Sequence, residues 1–178
     1  MLHIILIAIA AIVVIFIIIV AMRPNEFRVT RSAGIAAPPE NFFPHVNDLH
    51  IWEAWSPWAK MDPVCKNTFE GAAAGTGAIF IWAGNKKVGE GRMTITESRP
   101  SELIRIKLEF LKPFKATNTA EFTFKSQGNQ TLVTWSMSGK NNFMGKAFGL
   151  FVNCDKMAGG DFEKGLAAMK SVAETAQS

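Results

Sequence analysis

The last part of the chain, from Phe143 to Ala176, most restricts how the protein can fold. Apolar residues recur there in steps of three and four, so they share one side of a helix, while charged residues occupy the other sides. The apolar positions are Met144, Phe148, Phe151, Val152, Ala158, Phe162, Leu166, Met169 and Ala173. A helix with such a stripe needs an apolar surface to cover it. We therefore predict one long C-terminal helix packed on a second layer of the domain.

The second layer is predicted to be an antiparallel sheet. Short segments with alternating apolar and polar residues follow one another between Val64 and Gly139, separated by turns that contain glycine, proline or asparagine. A further strand is predicted over Asn25–Ile35. Gly89 and Gly91 share one side of a strand, where glycine lets a sheet bend. We expect an α+β fold in which about seven strands curve around the helix and leave a cavity between them.

The beginning of the chain is predicted to be a membrane anchor. No charged or strongly polar side chain occurs from Ile4 to Met22. About 19 residues form about 28 Å of helix, close to the hydrocarbon thickness of a bilayer. The basic residues and small-residue cleavage site of a signal peptide are not evident. We expect residues 1–24 to form an uncleaved transmembrane anchor, with the bilayer bound through residues 4–22, and residues 25–178 to form one domain.

The charges around the apolar run bear on orientation. Arg23, Arg28 and Arg31 follow the run, whereas only the amino terminus and His3 precede it. Because basic residues tend to stay on the cytoplasmic side, this favours a cytoplasmic domain. A periplasmic domain is the alternative.

Composition and spacing argue against several kinds of site. The net charge is +4, and the basic residues are scattered among acidic ones, so no nucleic-acid partner is expected. His45 and His50 are five positions apart, which does not suit common zinc sites. The segment Gly75–Gly77 lacks the lysine and helix of a phosphate-binding loop. We expect no metal and no cofactor, and the sequence identifies no protein partner.

Three residues are candidates for acid–base chemistry: Glu90, Arg92 and His50. Glu90 and Arg92 are two positions apart in a predicted strand, so they share one side of it. On the concave side they would line the cavity and suit acid catalysis or recognition of a polar ligand group. On the convex side they would form an exposed ion pair. His50 could pair with Asp48, and a surface or helix-capping role is its alternative.

The predicted ligand site is the cavity between sheet and helix. Its lining would come from large apolar side chains on the inner sides of both layers. These residues are Phe80, Trp82, Ile106, Phe110, Trp135, Phe148 and Phe162.

Trp55 and Trp58 flank Pro57, and two interpretations of them stay open. Their rings could plug the seam between helix and sheet, or one could lie at the cavity mouth or the lipid interface.

A glycine pair, Gly159–Gly160, falls within the predicted terminal helix. Two adjacent glycines lower helix propensity by roughly 2 kcal/mol relative to alanine. Close packing against the sheet, or a kink, would explain them structurally. A hinge that lets the first half of the helix move as a lid is the functional alternative.

The order of a strand, two short helices, a long meander and a terminal helix resembles the helix-grip fold. Several local segments resemble a bacterial branch of the SRPBCC superfamily, which includes START-like, polyketide-cyclase and birch-pollen-allergen proteins. These segments are Ala36-Ala37-Pro38-Pro39, Trp55-Ser56-Pro57-Trp58, Gly89-Glu90-Gly91-Arg92-Met93, Thr96-Glu97-Ser98-Arg99-Pro100 and Gly159-Gly160-Asp161-Phe162-Glu163. The resemblance runs from about residue 27 to residue 174 and marks fold and branch, not catalysis.

The resemblance implies binding of apolar or amphipathic small molecules. A minority of the superfamily are cyclases or dehydratases, and some are partners of a heat-shock chaperone. Residues and resemblance together favour a membrane-tethered carrier or sensor of a hydrophobic molecule. One alternative is a cyclase or dehydratase that uses Glu90, Arg92 or His50. The other is an interaction module in which Trp55, Trp58 and the turn Lys112–Lys115 meet a protein or the membrane.

Overall fold

The computed structural model describes residues 1–175, with the backbone alone for Cys154 and Thr175. The helices are α1 (Leu2–Ala21), α2 (Phe43–Asn47), α3 (Phe143–Phe148) and α4 (Cys154–Thr175), and two short 3₁₀ helices, Pro39–Asn41 and Leu49–Ala54, flank α2. The strands are β1 (Glu26–Ile35), β2 (Lys66–Gly71), β3 (Ala78–Ala83), β4 (Glu90–Arg99), β5 (Leu103–Lys112), β6 (Ala116–Gln127) and β7 (Gln130–Lys140). This order confirms the predicted α+β helix-grip architecture.

The seven strands form one antiparallel sheet in the order β1-β7-β6-β5-β4-β3-β2. Each strand from β2 to β6 pairs with the next strand in sequence, and β1 pairs with β7. The pairs near one end are Glu26 with Lys140, Asn118 with Gly139, and Phe110 with Ala116. The start of β1, the β5–β6 turn and the end of β7 therefore lie at one end of the sheet. Because α1 precedes β1, we call this the α1 end.

The C-terminal helix covers only one side of the concave face. α4 lies against β1 and the neighbouring strand β7. Its buried side chains join those of the sheet in one core, which includes Val29, Val133, Trp135, Phe162, Leu166, Met169 and Ala173. Burial of each large apolar side chain contributes about 1.5–3 kcal/mol. The amphipathic pattern of residues 158–173 thus produces the predicted grip.

Two ion pairs of Arg31 join β1 to α4 beside Gly159. The Arg31 guanidinium donates to Asp155 Oδ2 over 3.0 Å and to Glu163 Oε1 over 2.7 Å. A Cβ atom at Gly159 would overlap this guanidinium, whereas nothing lies within 4 Å of such an atom at Gly160. α4 continues through both glycines. Close packing of Arg31 at Gly159 therefore accounts for the glycine pair, and the helix is not interrupted there.

The contact between Arg31 and Asp155 predicts a pH dependence. Hydrogen bonds from Arg31 hold the pKa of the Asp155 carboxyl below its ordinary value. Because the folded pKa is lower than the unfolded one, the interaction stabilises the fold above the unfolded pKa and is lost as pH falls through the folded pKa. Asp155→Asn should therefore lower the free energy of unfolding at neutral pH, and this deficit should shrink as the solution is acidified below the ordinary aspartate pKa of about 3.9.

Urea unfolding of the full chain in detergent micelles across this pH range measures the effect. Glu53→Gln is the control, because Glu53 is exposed and makes no ion pair within residues 1–175. A deficit in Asp155→Asn that is the same at acidic and neutral pH would contradict the assignment.

The prediction of a single long C-terminal helix is wrong in one respect, because the helix is divided between residues 148 and 154. α3 ends at the cap residue Gly149, whose intrinsic helix propensity is low. α4 is then started by Asn153, whose Oδ1 accepts from the Lys156 N–H over 2.9 Å. The predicted last residue, Ala176, lies outside the described residues.

The break directs α3 toward α1 and away from the concave face. Lys146 Nζ donates to the Ala21 carbonyl over 3.4 Å, and Arg23 Nη2 donates to the Gly149 carbonyl over 3.2 Å. Phe148 and Phe151, which the helical pattern placed on the inner stripe, are 54% and 80% exposed. α1 itself is long and apolar enough to be a membrane span or a signal sequence, and among its side chains Val20 is buried.

Candidate ligand-binding face

One half of the concave face, which we call the filled half, is occupied by aromatic rings. Trp135 of β7 stacks between Phe122, with centroids 4.7 Å apart, and Phe162 of α4, with centroids 4.1 Å apart. Trp52 and Trp55 meet the Phe122 ring at steep angles, 6.1 and 5.9 Å away. All five side chains are buried. The space between α4 and the sheet, where a cavity was expected, is therefore filled by these rings.

The short helices place Trp52 and Trp55 in this cluster. Their indole N–H groups donate to the carbonyls of Val46 and His45 over 2.9 and 2.8 Å. Trp55 is 2% exposed, so it plugs the seam, and its placement at a cavity mouth or interface is wrong. Trp58 is half-buried and meets the edges of Trp135 and Phe162, 5.7 and 6.5 Å away.

The other half of the concave face, the open half, carries a row of rings that α4 does not cover. Phe69 and Phe80 have centroids 5.2 Å apart, and Trp82 lies 6.0 Å from both Phe80 and Phe110. Phe69 is 38% exposed, and Phe80 and Phe110 are half-buried. Met93 and Leu108, also half-buried, lie between the ends of this row. The apolar side chains of these strands lack the cover that the side chains of β7 receive from α4.

A glycine allows Trp82 to lie flat on the sheet. Gly91 is paired with Trp82 on one side and with Phe110 on the other. A Cβ atom at Gly91 would overlap the Trp82 ring and would lie 2.6 Å from the Glu109 carbonyl oxygen. The indole N–H donates to the Val88 carbonyl over 3.3 Å, which fixes the ring. Gly91 therefore shapes the middle of the row.

A polar pair borders the open half. The His50 ring stacks on Phe69, with centroids 4.1 Å apart, and its Nδ1 lies 2.8 Å from Asp48 Oδ1. The same carboxylate oxygen accepts from the His50 backbone N–H over 2.9 Å, which caps the 3₁₀ helix. The predicted pairing of His50 with Asp48 is confirmed. It gives one end of the aromatic row a hydrogen-bonding group.

Glu90 and Arg92 lie on the convex side, so the interpretation that they line a cavity is wrong. Glu90 Oε1 accepts from Lys112 Nζ over 2.7 Å. Arg92 is paired with Glu109, which bonds Lys107 over 2.6 Å in the row of charges on the outer side of β5. Exposed pairs of this kind contribute less than about 1 kcal/mol. Of the three acid–base candidates, only His50 borders the concave face.

The predicted lining residues fall into three places. Phe80, Trp82 and Phe110 belong to the open half, Ile106, Trp135 and Phe162 are buried in the core, and Phe148 lies on α3 outside the grip. Sequence patterns missed Phe69, Met93 and Leu108. The alternation of β5 could have indicated Leu108, but the place of Phe69 depends on its pairing with Phe80, which requires the register.

Two surface depressions lie at opposite ends of the sheet. One, of about 220 Å³, is bordered by Pro38, Pro39 and the β6–β7 turn. The other, of about 310 Å³, is lined by Phe110, Leu111, Lys115 and their neighbours at the α1 end. Through Phe110, the second depression adjoins the open half.

A curved sheet that holds a helix over half of its concave face and leaves the other half apolar defines a helix-grip domain. The chain belongs to the family described as polyketide cyclase / dehydrase and lipid transport, whose sequence profile matches residues 26–174. This confirms the resemblance to the SRPBCC superfamily. A comparison with curated proteins gave no match.

Solved structures show the same fold at low identity. Protein CV1439 from Chromobacterium violaceum is 17% identical, with a TM-score of 0.59 over 85% of this chain and 99% of that one. Protein MLL2253 from Mesorhizobium loti is 17% identical, with a TM-score of 0.60 over 84% of this chain and 98% of that one. Ara h 8.0201 is 8% identical, with a TM-score of 0.55 over 84% and 99%.

Proposed function

We propose that this chain is a membrane-tethered binding protein that carries or senses a hydrophobic or amphipathic small molecule. Residues 1–24 form the anchor, residues 25–178 form the binding domain, and the domain faces the cytoplasm. The observation that carries the proposal is the aromatic row on the open half, whose apolar side chains α4 does not cover. Membership of a family with lipid-transport members supports it.

The open half suits an elongated apolar ligand with one polar end. The apolar part would cover Phe80, Met93, Leu108 and Phe110, and burial of about 200 Å² of apolar surface would contribute about 5 kcal/mol before ordering costs. The polar end would meet His50 and Asp48, whose side chains are hydrogen-bonded to each other at the border of the row. Binding is favoured over cyclase or dehydratase chemistry because Glu90 and Arg92 are on the convex side.

A photoreactive fatty acid can test this proposal on the full chain reconstituted in phosphatidylcholine vesicles. A diazirine-bearing fatty acid should label peptides that contain Met93 or Phe110, and excess unlabelled fatty acid should compete. Phe110→Arg should reduce this labelling at least tenfold, because it places a charge in the apolar row. Peptide mapping separates these adducts from labels on α1.

Val64→Arg is the matched control, because Val64 is 86% exposed in the loop before β2. It should leave the labelling of β4 and β5 unchanged. Labelling confined to α1 in the wild type, or equal labelling in wild type and Phe110→Arg, would refute the binding site.

A further inference from the structure

Several large apolar side chains at the α1 end of the sheet are about half to four-fifths exposed. The exposed fractions are 48% for Leu111, 79% for Phe114, 71% for Met144, 54% for Phe148 and 80% for Phe151. Leu111 lies at the end of β5 and Phe114 in the β5–β6 turn, and the others belong to α3 and the loop after it. Exposed apolar groups of this size, gathered at one end of a domain, mark an interaction surface.

The contacts between α3 and α1 fix the height of this surface. The 20 residues of α1 span about 30 Å, the hydrocarbon thickness of a bilayer. The last of them, Ala21, accepts a hydrogen bond from Lys146 of α3, and Gly149 accepts one from Arg23. An α1 that crosses a bilayer therefore holds α3 where the chain leaves the hydrocarbon.

The charges at this end suit anionic headgroups. Arg23, Lys115, Lys140 and Lys146 have no carboxylate within ion-pairing distance in the part of the chain that the structure describes. Basic residues next to apolar ones are the composition of segments that lie in the bilayer interface. Their cations would meet phosphates while the phenyl rings enter the acyl boundary.

We propose that α3, the loop after it and the β5–β6 turn lie in the interface of an anionic bilayer, as a second membrane contact beside α1. This rests on the proposed anchor. The contact turns the α1 end of the sheet, including the depression beside Phe110, toward the lipid. A lipid-soluble ligand then reaches the open half from the bilayer without crossing water.

Depth measurements by electron paramagnetic resonance test the contact. Nitroxide labels are introduced by Phe148→Cys, Phe151→Cys or, as a control at the opposite end of the sheet, Asn129→Cys. The background carries Cys65→Ser and Cys154→Ser, and the full chain is placed in vesicles of phosphatidylcholine and phosphatidylglycerol. Labels at 148 and 151 should collide with oxygen several-fold more than with an aqueous nickel chelate, and the label at 129 should show the reverse.

An Ile12→Cys label reports on the anchor separately. If the label at 12 lies in the bilayer while those at 148 and 151 are in water, the second contact is refuted and the anchor stands. If the label at 12 is also aqueous, both ideas fail.

The role of charge is tested by Lys115→Glu combined with Lys146→Glu. This variant should increase collisions of the labels at 148 and 151 with the aqueous nickel chelate, whereas Lys125→Glu, at the opposite end, should not. Equal depths in these two variants would refute the role of charge.

Discussion

Replacing Trp135 with alanine is expected to lower the free energy of unfolding by about 3–5 kcal/mol, the largest effect we predict for a single substitution. Both faces of this indole are covered, by Phe122 and Phe162, and Trp55 and Trp58 meet it at right angles 5.7 Å away. The side chain is 3% exposed, so its removal leaves a cavity between β7 and α4 that rigid neighbours cannot fill. Urea unfolding of the full chain in micelles, followed by circular dichroism, measures the loss.

Two further variants separate ring packing from other effects. Trp135→Phe should lose about 1–3 kcal/mol, because it keeps a ring between its neighbours and leaves a smaller cavity. It also removes an indole N–H that is buried without a partner among the described residues, which offsets part of the loss. Trp58→Ala should lose less than Trp135→Ala, because Trp58 is half-buried. A loss at Trp58 equal to that at Trp135 would show that the stacked column is not the centre of the core.

The second large effect is expected at Gly91. Gly91→Ala should lower the free energy of unfolding by about 1–3 kcal/mol, because its methyl group overlaps the Trp82 ring beside a backbone carbonyl that cannot move freely. The ring must rotate away from Phe110, which should also change the near-ultraviolet circular dichroism of the folded protein. The effect therefore combines lost stability with an altered aromatic row.

Gly160→Ala is the matched control for this glycine. It adds the same methyl group where nothing lies within 4 Å, inside α4, and should raise stability by up to about 1 kcal/mol. If Gly91→Ala were as stable as the wild type with an unchanged aromatic spectrum, the close approach of Trp82 to the β4 backbone would be wrong.

Local patterns were sufficient to predict the elements that make the grip. The alternation of β5 and the helical spacing from Ala158 to Ala173 indicate which sides face the core, because these sides are apolar throughout. Turn residues separate the strands at short intervals, which predicts a meander without knowledge of distant contacts.

What the patterns could not predict depends on contacts between distant parts of the chain. The same helical spacing includes Phe148 and Phe151, but the structure turns them away because α3 contacts α1. Glu90 and Arg92 share a side, yet the choice of side requires knowing that Ile95 and Ile106, on the other side of these strands, are buried in the core. Whether the rings fill the concave face or line it depends on how far α4 extends across the sheet.

The edge position of β2 has a consequence for how the open half admits a guest molecule. β2 is the last strand of the sheet, all of its residues are exposed, and it pairs with β3 alone. Detachment of β2 breaks one ladder of hydrogen bonds and the ring contacts of Phe69. It leaves the stacked rings of Phe122, Trp135 and Phe162 in place. The sheet thus has a stable part around Trp135 and an edge strand that detaches at lower cost, so under the proposed function a ligand longer than the aromatic row would displace β2 first.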